Sequence, residues 1–192
     1  MSDFTLRVIA ESHSDISLIR KLLNLELELE YGMKFYASQG QVSAVTVGRN
    51  ILVHEGGPVL LVLDSDTLDI ERQREYESTA LAAVEAAYAK DYMMLQPFAK
   101  VFTFRPCIEA VFFEAPQALR QLLGIDLDER TIEEGKARPK QVLGRLCGAT
   151  ESSWLQTLIQ KIDQSIQNLL NEGEQATRLR ETVLSFVPTV AK

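Results

Sequence analysis

Short apolar runs alternate along this chain with longer segments whose apolar residues recur at helical spacing. The apolar runs predict strands at about 4–10, 34–38, 59–63 and 99–105, and VLLVL at 59–63 is the clearest of them. Five consecutive apolar residues are typical of a parallel strand that is covered on both faces. Helical spacing predicts helices at about 12–30, 42–55 and 69–90. The alternation predicts an α/β fold, with a mainly parallel sheet and covering helices.

The last third of the chain lacks strand patterns. We expect a helical segment at 108–124 that is interrupted near Pro116, followed by an acidic connector at 125–135. Three further helical patterns lie at about 139–147, 152–171 and 174–186. These patterns predict two parts: an α/β domain at 1–145 and a helical C-terminal extension at 146–192 that packs on it.

Net charge, cysteine content and the lengths of apolar runs limit the classes of function that the chain can have. The net charge of −7 counts against a protein that binds nucleic acid mainly through Lys and Arg, but an enzyme that reaches phosphate through divalent cations remains compatible with it. Cys107 and Cys147 are too few and too far apart for a disulfide scaffold, so we expect buried, reduced thiols. Neither a secretory signal nor an apolar run of roughly 20 residues is apparent, and we therefore expect a cytoplasmic protein without membrane contact.

Acidic residues follow two of the predicted strands. Glu11 comes directly after the first strand, and Asp64 and Asp66 come directly after VLLVL. The carboxyl ends of parallel strands meet at one edge of a sheet, so we expect these side chains to converge there. Carboxylates are ligands that Mg²⁺ and Mn²⁺ prefer. The sequence therefore predicts a divalent-cation site at this edge.

Two segments carry a resemblance to a known family. IAESHSDISLIRKLL at 9–23 and LLVLDSDT at 60–67 resemble the two motifs of Toprim domains, in which a glutamate follows one strand and Asp-x-Asp follows another. Toprim domains occur in topoisomerases, bacterial primases, recombination proteins and overcoming-lysogenisation-defect (OLD) nucleases. The chain departs from the first motif at Ser12, where glycine is most common. We expect a nuclease rather than a topoisomerase or a primase, because each of the latter needs further domains that 192 residues do not supply.

The OLD branch is similar at more positions, over roughly residues 4–145. That branch adds an aspartate four residues after the glutamate, matched by Asp15, and a later glutamate at a helix start, matched by Glu109. It also carries a later lysine, matched by Lys140 or Lys136. The resemblance implies a Mg²⁺- or Mn²⁺-dependent nuclease in which Glu11, Glu109 and Lys140 act in catalysis. The metal ligands that it implies are Glu11, Asp15, Asp64, Asp66 and Glu109.

Partners and alternatives also follow from this resemblance. OLD nucleases usually carry an ATPase on the same chain, but this sequence has no G-x-x-x-x-G-K-[ST] loop. We therefore expect a protein that acts on nucleic acid, DNA rather than RNA. It would act either alone or with a separately encoded ATPase. A homodimer is also compatible with the sequence. Two other functions remain: a non-catalytic binding or regulatory subunit that keeps the Toprim fold, and a metal-dependent phosphatase of small phosphoesters.

Overall fold

The computed structural model describes residues 5–30, 32–88, 99–148 and 153–186. Four strands alternate with three α-helices, and seven further α-helices follow the last strand within these residues. The strands are β1 Arg7–Ala10, β2 Lys34–Ala37, β3 Val59–Asp64 and β4 Ala99–Phe104. The helices are α1 His13–Glu30, α2 Gln41–His54, α3 Ile70–Tyr88, α4 Val111–Glu114, α5 Pro116–Leu123, α6 Glu129–Ala137, α7 Pro139–Leu146, α8 Ser153–Gln160, α9 Gln164–Leu170 and α10 Glu174–Leu184, with a 3₁₀ turn Ile108–Ala110 before α4. Among the described residues, no helix is long and apolar enough to cross a membrane.

The sheet is parallel throughout, and its strand order is β2-β1-β3-β4. Ala10 of β1 pairs with Val62 of β3, and Asp64 at the end of β3 pairs with Phe104 at the end of β4. The carboxyl ends of these three strands therefore lie side by side along one edge. The predicted α/β class and mainly parallel sheet are confirmed.

Alternate residues of the central strands enter two different apolar layers. Val8, Leu60 and Val62 pack into one buried cluster together with α1 and the later helices. Ile9 and Leu61 point to the opposite face and pack against α2 and α3. Side chains alternate between the faces of a strand, so an unbroken apolar run such as β3 requires cover on both sides. The continuous burial of β3 agrees with that requirement.

The C-terminal helices share the larger of the two buried clusters. Leu158 of α8, Leu170 of α9 and Leu179 of α10 lie in the same cluster as Val8 and Leu60 of the sheet. The helical extension therefore packs directly on the α/β part. The predicted boundary between residues 145 and 146 stays a prediction.

Two helix predictions were wrong in detail. The pattern at 152–171 is not one helix, because α8 ends at Gln160 and α9 begins after Asp163, whose carboxylate accepts a hydrogen bond from the Ile166 backbone N–H. The expected acidic connector is mostly helix α6, which Asp128 caps by accepting from the Thr131 N–H at 2.8 Å. An aspartate at the N-cap satisfies a free N–H of the first turn, and this signal was present in both segments.

Helix α6 crosses the apolar cluster at a position where only glycine fits. A Cβ atom on Gly135 would lie 2.0 Å from Cε1 of Phe113, a fully buried ring that has little room to move. The close approach brings α6 down onto α4, and the chain then turns into α7 through Pro139 at the first helical position. The next residue, Lys140, thereby reaches the acidic edge of the sheet.

Candidate metal centre

Glu11 bridges the ends of the two central strands. Its Oε1 accepts a 2.7 Å hydrogen bond from the backbone N–H of Asp64. Directly after it, Ser12 Oγ accepts a 3.1 Å hydrogen bond from the Asp15 N–H, as expected for a residue that caps α1. Because the helix begins immediately after the strand, Asp15 in its first turn stays close to Glu11.

Asp64 lies at the centre of the group and is only 9 % exposed. Its Oδ1 accepts a 2.9 Å hydrogen bond from the Ile108 N–H in the turn after β4. Its Oδ2 accepts a 2.9 Å hydrogen bond from Lys140 Nζ at the start of α7. Three segments that are distant in sequence therefore meet at this one carboxylate.

Asp66 points to a neighbouring part of the same edge. It is exposed and has a φ of 52°, a left-handed conformation that aspartate tolerates better than most residues. Its N–H donates to the Pro106 carbonyl at 2.8 Å, and its Oδ2 accepts a 3.1 Å hydrogen bond from Gln41 Nε2. The same amide donates to the Asp64 carbonyl at 2.9 Å, so Gln41 at the start of α2 orients both aspartates.

Glu109 is buried in the 3₁₀ turn, with an exposure of 4 %. Its Oε2 has no hydrogen-bond partner among the described residues, and Lys140 Nζ lies 3.9 Å from it. Ligand atoms of Asp64, Cys107 and Glu109 all lie within 4.8 Å of one another. A buried carboxylate oxygen without a partner is costly, which makes this turn a place where a cation would stabilise the protein.

These groups open into a cleft of about 720 Å³, which we call the acidic cleft. One wall carries carboxylates from the ends of β1 and β3, from α1 and from the 3₁₀ turn. The other wall consists of polar, basic and aromatic residues of α7 and α8. The residues that line the cleft are Glu11, Ser12, Ser14, Asp15, Gly40, Asp64, Glu109, Lys140, Gln141, Gly144, Arg145, Trp154 and Leu155.

Burial raises the pKa of every carboxylate in the acidic cleft. The pKa of Glu11 rises from 4.5 to about 7, chiefly through desolvation and secondarily through the charges of neighbouring aspartates. Desolvation and the charge of Asp64 raise the pKa of Asp15, and desolvation outweighs Lys140 in raising those of Asp64 and Glu109. For Lys140, desolvation is outweighed by the two carboxylates it faces, and its pKa is raised. The amine therefore stays charged.

The structure distinguishes the two candidate lysines. Lys140 contacts Asp64 and lines the acidic cleft, with its side chain 56 % exposed. Lys136 forms a 2.6 Å ion pair with Glu133 and lines a different depression. Arg145 also lines the cleft, but Glu134 holds its guanidinium at 2.8 Å. Lys140 is therefore the lysine that meets the acidic group.

Five of the site residues proposed from the sequence come together in the cleft: Glu11, Asp15, Asp64, Glu109 and Lys140. Asp66 instead lines a smaller adjoining pocket that it shares with Cys107 and Lys140. Their catalytic and ligand roles stay predictions.

The sequence interpretation missed Gln41, Cys107 and Tyr76. Burial, and then the charges of Glu11, Asp66 and Asp64, raise the pKa of Tyr76 to about 12, so its phenol lies within the electrostatic reach of the acidic group. Cys107 could have been predicted to lie near the site, because it is only two residues before Glu109 in the sequence. Nothing in the local sequence around Tyr76 marks it.

The residues present fit a divalent cation. The cleft supplies several carboxylates, and the buried Oε2 of Glu109 lacks a hydrogen-bond partner within the described part of the chain. Asp64 and Glu109 face the same ammonium group, which shows that their oxygens can share one positive charge. An acidic cluster that can bind a metal ion is therefore present at the predicted edge.

The parallel sheet, with Glu11 after β1 and Asp64-Ser65-Asp66 after β3, gives the chain a Toprim-like α/β fold with a helical C-terminal extension. Neither a family model nor a curated protein matches the sequence.

Solved structures that are similar come from OLD proteins. The C-terminal region of the Burkholderia pseudomallei OLD protein is 17 % identical, and the match covers 97 % of this chain and 98 % of that chain at a TM-score of 0.46. The C-terminal region of the Xanthomonas campestris pv. campestris OLD protein is 12 % identical, with coverages of 96 % and 98 % and a TM-score of 0.44. Because both TM-scores lie below 0.5, we base the function on the site itself.

The raised pKa of Glu11 predicts how stability depends on pH when a chelator keeps the protein free of metal. Protonated Glu11 favours the folded state, so its contribution is fully present below pH 4.5 and is lost as pH rises through about 7. Asp15, Asp64 and Glu109 shift in the same direction. We expect a lower melting temperature one pH unit above 7 than one unit below it.

Glu11→Gln isolates the contribution of this residue, because glutamine keeps an acceptor for the Asp64 N–H but does not titrate. Thermal unfolding followed by circular dichroism should show a weaker pH dependence in Glu11→Gln than in the wild type. Equal pH dependence in the two proteins would mean that Glu11 does not titrate in this range.

Proposed function

We propose that this protein is a divalent-metal-dependent nuclease that hydrolyses phosphodiester bonds of DNA in the acidic cleft. The observation that carries the proposal is the convergence of carboxylates from β1, α1, β3 and the 3₁₀ turn on one open cleft, with Lys140 among them. An enzyme that hydrolyses phosphodiesters needs positive charge at the phosphate, and a cluster of acids is the means of holding it as divalent cations.

Mg²⁺ or Mn²⁺ would be held by Asp64 and Glu109, with Glu11, Asp15 and Asp66 as further ligands. When bound, such ions polarise a phosphate and lower the pKa of an attacking water. The oxygen ligands match the preference of both ions. The open cleft leaves room for the phosphate oxygens that complete the coordination of Mg²⁺ in many phosphate-processing enzymes.

Glu11 is the proposed proton-transfer group. Its pKa of about 7 allows the carboxyl group to take up and release a proton near neutral pH, where a general acid or base is most effective. The hydrogen bond from the Asp64 N–H holds Oε1 in place, so the group is oriented as well as tuned. Bound cations would lower this pKa and shift Glu11 towards the role of a base.

Lys140 is the proposed group that balances charge on the substrate. Its ammonium pairs with Asp64, and its side chain is more than half exposed, so the ammonium can turn from Asp64 to a phosphate. Positive charge directed at the developing charge of the transition state accelerates phosphoryl transfer.

The opposite wall supports a nucleic-acid substrate. Trp154 is half-buried in the cleft wall and offers part of an aromatic surface beside Gln141, which is exposed. Bases stack on aromatic side chains, and a cleft of about 720 Å³ has room for more than a phosphate group alone.

A phosphatase of small phosphoesters is the second candidate. The net charge of −7 and the ion pair between Arg145 and Glu134 leave little free positive charge for a long phosphate backbone. The nuclease and the phosphatase would use the same metal centre, so they are distinguished by which substrate the protein hydrolyses.

The direct test is cleavage of a substrate series by purified protein with Mg²⁺ or Mn²⁺. We expect hydrolysis of plasmid or single-stranded DNA, with less on RNA and on a small phosphodiester, and loss of activity in a chelator. Asp64→Asn should abolish cleavage because it removes the charge at the centre of the cluster. The matched control Asp126→Asn changes a side chain that is 96 % exposed and away from the cleft, and it should retain activity.

Hydrolysis of the small substrate without cleavage of any nucleic acid would favour the phosphatase. Folded protein that cleaves nothing with either metal would favour a non-catalytic Toprim-fold subunit. Metal-independent cleavage would contradict the proposed mechanism.

Lys140→Ala should separate turnover from metal binding. We expect kcat to fall by roughly 10²–10³-fold, the size of effect measured when one hydrogen-bond donor to a transition-state charge is removed. The Mn²⁺ concentration that gives half-maximal activity should not rise, because the ammonium competes with a cation for Asp64 and Glu109. Steady-state kinetics across a Mn²⁺ series measures both quantities.

Lys136→Ala is the matched control, since Lys136 pairs with Glu133 outside the cleft and should leave both quantities unchanged. Equal losses in the two variants, or full activity of Lys140→Ala, would remove Lys140 from the mechanism.

A further inference from the structure

We propose that Asp64, Cys107 and Glu109 form a subsite of the metal centre for a thiophilic divalent cation of the Zn²⁺ and Co²⁺ class, with the Cys107 sulfur as a ligand. The proposal rests on the proposed function only in sharing Asp64 and Glu109 with the metal centre. It assigns a sulfur ligand and a metal preference that an all-carboxylate centre would not have.

The first support is distance. The ligand atoms of the three residues lie within 4.8 Å of one another, and all three residues are buried. Ligand atoms around a four-coordinate Zn²⁺ lie roughly 3–4 Å apart, given metal–ligand lengths of about 2.0–2.3 Å. To bind one ion, the three side chains would rotate towards a common centre.

The second support is the unpartnered oxygen of Glu109. The side chain is only 6 % exposed, and Oε2 lacks a hydrogen bond among the described residues. This atom faces Lys140 Nζ at 3.9 Å, and the same ammonium lies 2.9 Å from Asp64 Oδ2. The two carboxylates thus already share a cation, and the position between them suits a metal ion.

The third support is the chemistry of Cys107. Cys107 is a buried cysteine outside any disulfide, and its sulfur lies within 4.8 Å of carboxylate oxygens of Asp64 and Glu109. When a thiol coordinates a divalent cation, it loses its proton. The proton passes to solvent, the sulfur keeps the electron pair, and that pair forms the bond to the metal without any change of oxidation state.

A metal ion can bind between Asp64 and Glu109 only when the Lys140 ammonium moves away. The exposed side chain of Lys140 can do so by turning into the cleft. A sulfur ligand weakens a site for Mg²⁺ and strengthens it for softer cations. The remaining carboxylates, Glu11 and Asp15, stay available for a harder ion.

The test is titration of the full-length protein with Co²⁺ while the absorption spectrum is recorded. A Co²⁺–thiolate bond gives a sulfur-to-metal charge-transfer band in the near ultraviolet, which carboxylate ligands do not produce. We expect this band to saturate at one Co²⁺ per chain and to disappear when Zn²⁺ displaces Co²⁺.

Cys107→Ser should lose the band, whereas Cys147→Ser, the matched control at the other cysteine, should keep it. Circular dichroism checks that each variant is folded. Co²⁺ binding to the wild type without the band, or a band that persists in folded Cys107→Ser, would overturn the proposal.

A second measurement avoids changing Cys107. X-ray absorption at the zinc edge of Zn²⁺-loaded Cys147→Ser protein should show one sulfur at about 2.3 Å. A shell of oxygen and nitrogen alone would overturn the proposal. This measurement does not depend on activity. A protein that shows the sulfur signal but cleaves nothing would contradict the proposed nuclease function. A protein that cleaves DNA but lacks the sulfur signal would contradict only this subsite.

Discussion

The burial of the Asp64 carboxylate at the end of β3 is the constraint on which the site depends. A carboxylate removed from water must be compensated, and here the compensation comes from the Ile108 N–H and the Lys140 ammonium. These contacts fix the turn after β4 and the start of α7 against the sheet edge. The backbone of Asp64 is held in the same way by Glu11 and Gln41. The side chain and backbone of this one residue thereby contact segments drawn from the first 150 residues.

The hydrogen bonds and the Lys140 charge do not fully offset the burial of the clustered carboxylates. Lys140 offsets Asp64 and Glu109 only in part, so the pKa values of the clustered carboxyl groups stay raised. A fold that brings acids together at the cost of repulsion gains stability when a cation binds, because the cation interacts with the folded state alone. Cation binding at this cluster would therefore be coupled to folding, and Lys140 already places one positive charge beside Asp64 and Glu109.

The local sequence pattern was enough to predict the two site residues at strand ends, Glu11 and Asp64. Glu11 and Asp64 could be placed because a parallel sheet brings strand ends together. Glu109 was placed only from the resemblance, as a glutamate at a helix start, and it lies in the 3₁₀ turn after β4. Gln41 was missed because its hydrogen bonds to the aspartates arise only when α2 docks on the sheet. The helix errors have a different origin: apolar periodicity continued across Asp163, and the polar composition of α6 hid a helix that packs through Gly135.

Electron paramagnetic resonance of Mn²⁺ tests the central claim, that Asp64 is the centre of a divalent-cation site. Free Mn²⁺ gives a strong signal that is lost on binding, so a titration yields both affinity and stoichiometry. The wild type should bind Mn²⁺ with at least one saturable site, and Asp64→Asn, which keeps the shape of the side chain, should lose it. Equal Mn²⁺ binding by the two folded proteins would contradict the account.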